Sequence, residues 1–207
     1  KVVELLKKQD GTFGIRRLLE CASFVLQLEL ESQLIKEVIK GKRKAQLELY
    51  RLCFSMLMSV ASRYKNNKED AAFLANDAFL KILTHLKKYN TKTPFEAWAR
   101  RIAINVVIDD YRKNKKRVET IAWTEELTHE TQDFSMSEMD EKMEEEEVLQ
   151  CLLQLPPATR TVFSLFAIDG FSHKEICKNL EISMETSKWH MKEARKRLKV
   201  IVAKEIK

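Results

Sequence analysis

Four glycines and three prolines among 207 residues leave little material for tight turns. A sheet of short strands needs such residues at nearly every reversal, so a sheet-rich fold is disfavoured. Leu, Lys, Glu, Ala and Ile are abundant, and all are compatible with helix. Apolar residues make up 44% of the chain, enough for real cores, and the 33% that are charged suit solvated helix faces. The expected fold class is all-α, in one or two domains.

Charge is strongly segregated. Between Val118 and Glu147 stand twelve acidic residues and one base, Lys142, a local net of −11. The overall charge is +6, so the rest of the chain carries +17. Two basic blocks flanking an acidic strip point to a polyanion as partner rather than to a uniformly sticky surface. The strip has no sustained apolar period and reads as a flexible linker.

Apolar spacing predicts helices over about Glu31–Lys40, stopped by Gly41, then over Ala45–Tyr64 and Asp70–Lys88. Thr93-Pro94-Phe95-Glu96 predicts a capped helix start with a capping box. That fourth helix is expected to run to about Lys115, to bury Trp98, Ile102, Val106 and part of Tyr111, and to end in the cations Arg112–Arg117. Beyond the linker, helices are expected over Val148–Leu155, begun by Glu144–Glu147 and broken by Pro156-Pro157, and over Ala158–Ile168. Asp169-Gly170 supplies a left-handed stop.

The runs Ser172–Leu180 and Ser183–Leu198 together read as a helix-turn-helix, with Ser172 and Glu175 as a capping box. Lys188, Lys192, Arg195 and Lys199 recur at steps of four, three and four, which stacks them on one face. Ser187, Met191, Ala194, Leu198 and Ile201 form a smaller or apolar stripe on another. A helix apolar toward a core and cationic outward suits a DNA major groove.

Other chemistries find less support. Cys21, Cys53, Cys151 and Cys177 show no Cys-x-x-Cys spacing and no nearby histidine at ligand spacing, so no metal and no cofactor is expected. Cys53 and Cys177 fall on apolar faces, as reduced thiols of a cytoplasmic protein would. No run of eighteen apolar residues predicts a membrane span. Ile15–Leu28 is similar to a signal-peptide core, but Glu20 interrupts it and no small-x-small pattern follows. Residues 1–30 read as an N-terminal extension of unknown role.

With these pieces in order, the chain resembles an extracytoplasmic-function sigma factor, the two-domain branch of the sigma-70 family. Ile35–Ala45, Asn76–Ile82 and the run Thr93-Pro-Phe-Glu-Ala-Trp through Arg101-Ile-Ala-Ile-Asn105 to Lys113 carry the N-terminal match. Leu155 to Leu198 carry the C-terminal one. The resemblance implies a region-2 domain over 31–117, a linker over 118–147 and a region-4 domain over 148–204. It also implies a non-catalytic subunit that binds the β and β′ subunits of core RNA polymerase, promoter DNA and an anti-sigma factor.

The site residues follow. In the recognition helix, Lys188, Trp189 and Lys192 are expected at base edges, with Glu185, Thr186, Arg195 and Lys196 beside them on the −35 element. His190 is either a phosphate contact or incidental. For melting the −10 element, Asn90, Lys92, Thr93, Phe95, Trp98 and Asn105 would receive unstacked bases, while Arg101, Arg112 and Lys113 hold the backbone. Asp77 and Lys81 would face polymerase. The chain departs from many relatives in having Ala72 and Phe73 where they carry an acidic pair, Asn76 where they carry Gln, and Trp189 where they often carry a small residue. Two other functions compete: a stand-alone helix-turn-helix regulator with a sensor bundle, and a metal-dependent nuclease using Asp109-Asp110 or Glu69-Asp70.

Overall fold

The computed structural model describes residues 32–122 and 145–205. Among these there are eight α-helices and no strand: α1 (32–39), α2 (Arg43–Ser62), α3 (Lys68–His85), α4 (Phe95–Ala122), α5 (Glu145–Leu153), α6 (Pro157–Phe163), α7 (His173–Leu180) and α8 (Met184–Glu205). A 3₁₀ turn, Leu86–Lys88, follows α3, and a π-helical turn, Ser164–Ile168, prolongs α6. Most of the linker and the N-terminal extension lie outside the described residues, as does Cys21. No described helix is long and apolar enough to cross a membrane.

The chain divides into two compact units, 1–52 with 83–88, and 53–82 with 89–207. In the first, Gly41 at φ +80° ends α1, its N–H reaching the Val38 carbonyl at 2.9 Å. A left-handed residue there closes the helix without the Cβ clash another side chain would meet. Ile35, Val38, Ala45, Leu49 and Leu86 are its buried apolar positions.

In the second unit, Asn67 caps α3, its Oδ1 accepting the Asp70 N–H at 2.7 Å. Glu69 and Asp70 in that first turn face the positive end of the helix dipole. Leu74, Ala78, Phe79 and Ile82 of α3 are buried, as the spacing predicts. So are Val106, Val107, Ile108 and Tyr111 of α4, and Val162, Phe163, Leu165, Ile176, Leu180, Leu198 and Val202 of the C-terminal helices.

Helix α4 departs from expectation three times. It continues to Ala122, so Arg112–Arg117 lie inside it rather than at its end. Residues 113–122 contain no glycine or proline, and Val118, Ile121 and Ala122 are residues a helix accommodates. Trp98 and Ile102 are only half-buried, because the core-facing arc passes through Ala99, Ala103 and Val106 and leaves them at its edge. At the start of α4, the Glu96 carboxylate goes to Arg100 (3.1 Å) instead of turning back toward Thr93.

The π turn was not foreseen. It carries the chain from α6 to Asp169, whose N–H bonds the Ser164 carbonyl at 2.9 Å, and Gly170 follows at φ +73°. The Phe171 N–H then returns to the Leu165 carbonyl at 2.9 Å.

Candidate nucleic-acid interfaces

Helix α7 starts on a complete capping box. The Ser172 N–H donates to Glu175 Oε2 (2.9 Å), and Ser172 Oγ accepts the Glu175 N–H (3.3 Å). Those bonds from Ser172, with the charge of Arg101, hold the Glu175 carboxyl below its ordinary range. Glu181, left-handed at φ 56°, ends α7, and its turn leads straight to Ser183. Ser183 Oγ accepts the Thr186 N–H at 3.1 Å and so caps α8. The Cys177 thiol donates to the Ser183 carbonyl at 3.3 Å and braces the same turn. Local bonds thus cap both helices and brace the three-residue turn between them, the arrangement expected of a helix-turn-helix.

Helix α8 sorts its residues as its periodicity predicts. Ser187, Met191, Ala194 and Leu198 are buried and Ile201 half-buried, while Lys188, Lys192, Arg195 and Lys199 are exposed. Glu185 is exposed, and the hydrogen bonds from its own backbone N–H and from Ser183, then the charge of Lys188, keep its carboxyl low. Thr186, Trp189 and Lys196 are half-buried at the edge of the cationic face.

The indole of Trp189 meets the His190 ring edge-on at 4.8 Å. His190 is 6% exposed and shares a hydrogen bond of 3.0 Å with Thr159 Oγ1 on α6. Burial pushes its pKa down to about 4, so the ring is neutral. The phosphate-contact reading of His190 therefore fails; the imidazole seats α8 on α6. His173 stacks on Phe166 at 4.5 Å and its Nδ1 pairs with Ser187 Oγ at 2.8 Å. Burial first, then the charges of Lys188 and Arg195, lower its pKa.

A second surface forms where the 89–94 loop enters α4. Tyr89, Phe95 and Trp98 make an aromatic triad with centroids 5.0–5.7 Å apart. The loop is tied by its own bonds: Asn90 Oδ1 accepts the Lys92 N–H (3.0 Å), and the Tyr89 hydroxyl donates to the Thr93 carbonyl (2.7 Å). Asn90, Lys92 and Thr93 are exposed, and Phe95 and Trp98 are half-buried. Trp98, Arg101, Asn105 and Arg112 fall within one narrow arc of the helix, and the last three are exposed, as is Lys113. Tyr89 escaped the sequence reading, although an aromatic at the loop's first position was a usable signal.

Arg112 is engaged: Nε donates to the Asn179 carbonyl (2.5 Å) and Nη2 to that of Lys178 (3.3 Å). Lys81 is also taken up within the chain, its Nζ on Asp109 Oδ2 at 2.9 Å, while Asp77 is exposed. Asp110 pairs with Lys65 at 2.6 Å, so the two adjacent acids face separate lysines. No cluster among the described residues could hold a metal ion. Cys53 and Cys151 are buried, and burial raises the Cys53 pKa to about 11.

A helix-turn-helix with a cationic outer face defines a DNA-binding protein of the all-α class. A family model described as ECF sigma factor matches residues 29–203, and the chain belongs to that family. It is 29% identical over 177 residues to the ECF RNA polymerase sigma factor SigW of Bacillus subtilis (strain 168), covering 80% of this chain and 92% of that one. To the ECF RNA polymerase sigma factor SigE of Mycolicibacterium smegmatis it is 27% identical over 161 residues, covering 76% and 61%. The structure of CnrH in complex with the cytosolic domain of CnrY aligns with TM-score 0.42 at 22% identity, covering 82% and 95%. The protein is a transcription regulator that directs initiation by RNA polymerase.

Proposed function

We propose that residues 148–204 read the −35 element, that residues 31–117 bind polymerase and open the −10 element, and that 118–147 connect them. The carrying observation is the α8 face: four exposed cations on a helix whose opposite side is sealed by Ser187, Met191, Ala194 and Leu198. Lys188, Trp189 and Lys192 then stand at base edges, and Arg195 and Lys196 at phosphates, which set register.

The α4 surface adds the melting chemistry. Tyr89, Phe95 and Trp98 offer π faces, Asn105 a carboxamide, and Arg101, Arg112 and Lys113 positive charge for an unpaired strand. Unstacking a base costs a few kcal/mol, which stacking and hydrogen bonds at such a surface can offset. On α3, Phe73 is 75% exposed and Leu80 is exposed too, on the same arc as Asp77. An apolar patch around one acid fits the clamp of core polymerase better than it fits water. An anti-sigma factor is the expected regulator, and the cytoplasm the expected compartment.

Run-off transcription with purified core polymerase on genomic fragments tests the reading. Discrete start sites that require the protein are expected; a transcript pattern identical to core polymerase alone overturns it.

A further inference from the structure

The loop that enters α4 is closed on itself. The Tyr89 hydroxyl donates across it to the Thr93 carbonyl at 2.7 Å. The Thr93 N–H returns to the Asn90 carbonyl at 3.2 Å, and the Lys92 N–H goes to Asn90 Oδ1 at 3.0 Å. The Tyr89 ring is itself held, edge-on to Phe95 at 5.4 Å and tilted against Trp98 at 5.0 Å. Trp98 is anchored in turn where α4 begins, its N–H on the Pro94 carbonyl at 3.1 Å.

A phenylalanine at position 89 would keep both ring contacts and lose the bond to Thr93. The hydroxyl therefore has a task separable from the ring. A loop ordered before its ligand arrives spares binding the entropy of ordering it.

The closure also sets the polarity of what the loop presents. A backbone N–H can only donate, so Asn90 Oδ1 is the end of the carboxamide turned toward Lys92. That leaves Nδ2, with its two N–H donors, as the outer end. The Lys92 ammonium only donates, and Thr93 adds a hydroxyl. All three residues are exposed, beside the rings of Phe95 and Trp98. An extruded base is read along its Watson–Crick edge. Thymine carries two acceptors there, O2 and O4, and cytosine carries O2 and N3. Adenine and guanine carry one each.

We propose that Tyr89 is a positioning residue: its hydroxyl holds the 90–93 loop so that Asn90 and Lys92 donate to an unpaired pyrimidine stacked on Phe95 and Trp98. The choice of base rests on the −10 reading of this surface; the ordering of the loop does not.

The test has two arms. In the first, NMR measures amide exchange with water in the full chain without DNA, for the wild type and Tyr89→Phe. Lys92 and Thr93 are expected to exchange faster in the variant, and the buried Ala103 and Val107 of α4 to stay unchanged. Unchanged exchange at Lys92 and Thr93 overturns the positioning role, whatever transcription assays return. In the second, holoenzyme initiates from a start site mapped by run-off transcription, with each non-template −10 base replaced in turn by the other three. The wild type is expected to favour a pyrimidine over either purine by about tenfold at one position. Tyr89→Phe should lose most of that ratio there and nowhere else. Asn90→Asp, which places an acceptor at the outer end, should lower the same ratio with the loop still ordered. A purine preference at that position overturns the pyrimidine assignment and leaves the −10 reading standing. Equal ratios in the wild type and Tyr89→Phe overturn the role of the hydroxyl in base choice. No discrimination at any −10 position overturns the base choice and the −10 reading together, and the exchange arm tells that result from a failure of the loop closure. Should Tyr89→Phe lose its helical circular dichroism, Asn90→Asp carries the base-preference readout.

Discussion

His190 makes folding stability pH-dependent, and the structure sets the size of the effect. The ring is 6% exposed, bonded to Thr159, and its pKa is about 4, against 6.5 for an ordinary histidine. Because the folded pKa is depressed, the unfolded chain binds this proton more readily between those two values. The contribution is therefore fully present above about pH 6.5 and is lost as pH falls toward 4. A difference of about 2.5 units corresponds to about 3 kcal/mol across the window, of which about 2 kcal/mol is gone by pH 5. That is a large share of the roughly 5–15 kcal/mol that holds a typical domain together. His173 pushes in the same direction, so the wild type alone does not isolate His190. Urea unfolding of the wild type and His190→Gln, near pH 7.5 and again near pH 5, separates the two. The wild type should lose about 2 kcal/mol more than the variant over that interval. Equal losses, or an imidazole that titrates near 6.5 by NMR, would refute the reasoning. Because His190 seats α8 on α6, affinity for −35 DNA should fall over the same range.

Three further outcomes are expected. Ser172→Ala removes the Oγ that accepts the Glu175 N–H, while the backbone N–H bond to Glu175 Oε2 remains, and should cost about 1 kcal/mol in urea unfolding; an unchanged midpoint would show that the side-chain half of the box contributes nothing. Lys192→Ala should weaken binding to the matching −35 duplex by about 1–3 kcal/mol and to random duplex by less, and equal losses on both would rule out base reading. Phe73→Ala deletes an exposed ring, so thermal unfolding should be unmoved while co-purification with core polymerase drops. Undiminished polymerase binding would remove Phe73 from that surface.

The helices were legible because their signals are local. Periodicity marked the buried Ser187, Met191, Ala194 and Leu198 and the exposed cations of α8, and Ser172 with Glu175 announced the start of α7. Gly41 and Gly170 marked stops because both adopt positive φ. What escaped was non-local or degenerate. Nothing near Asp169 in sequence identifies Arg63 and Tyr64 as its partners, more than a hundred residues away. The end of α4 was misplaced because a run of cations fits a helix end and a helix middle equally well. Lys81 was read only as a residue facing polymerase, and its pairing with Asp109, on another helix, is non-local. His190 was left open for a related reason: its spacing puts it at the border of the α8 stripe, and its partner Thr159 lies on α6.

The two faces proposed for DNA differ in how they are held. Apolar side chains and local caps fix α8, and its Lys188 and Lys192 stand exposed whether or not anything else moves. On the α4 face, Arg112 is bonded to the carbonyls at the end of α7. A reader of duplex DNA gains from rigidity, since a base edge must meet a lysine at a fixed register.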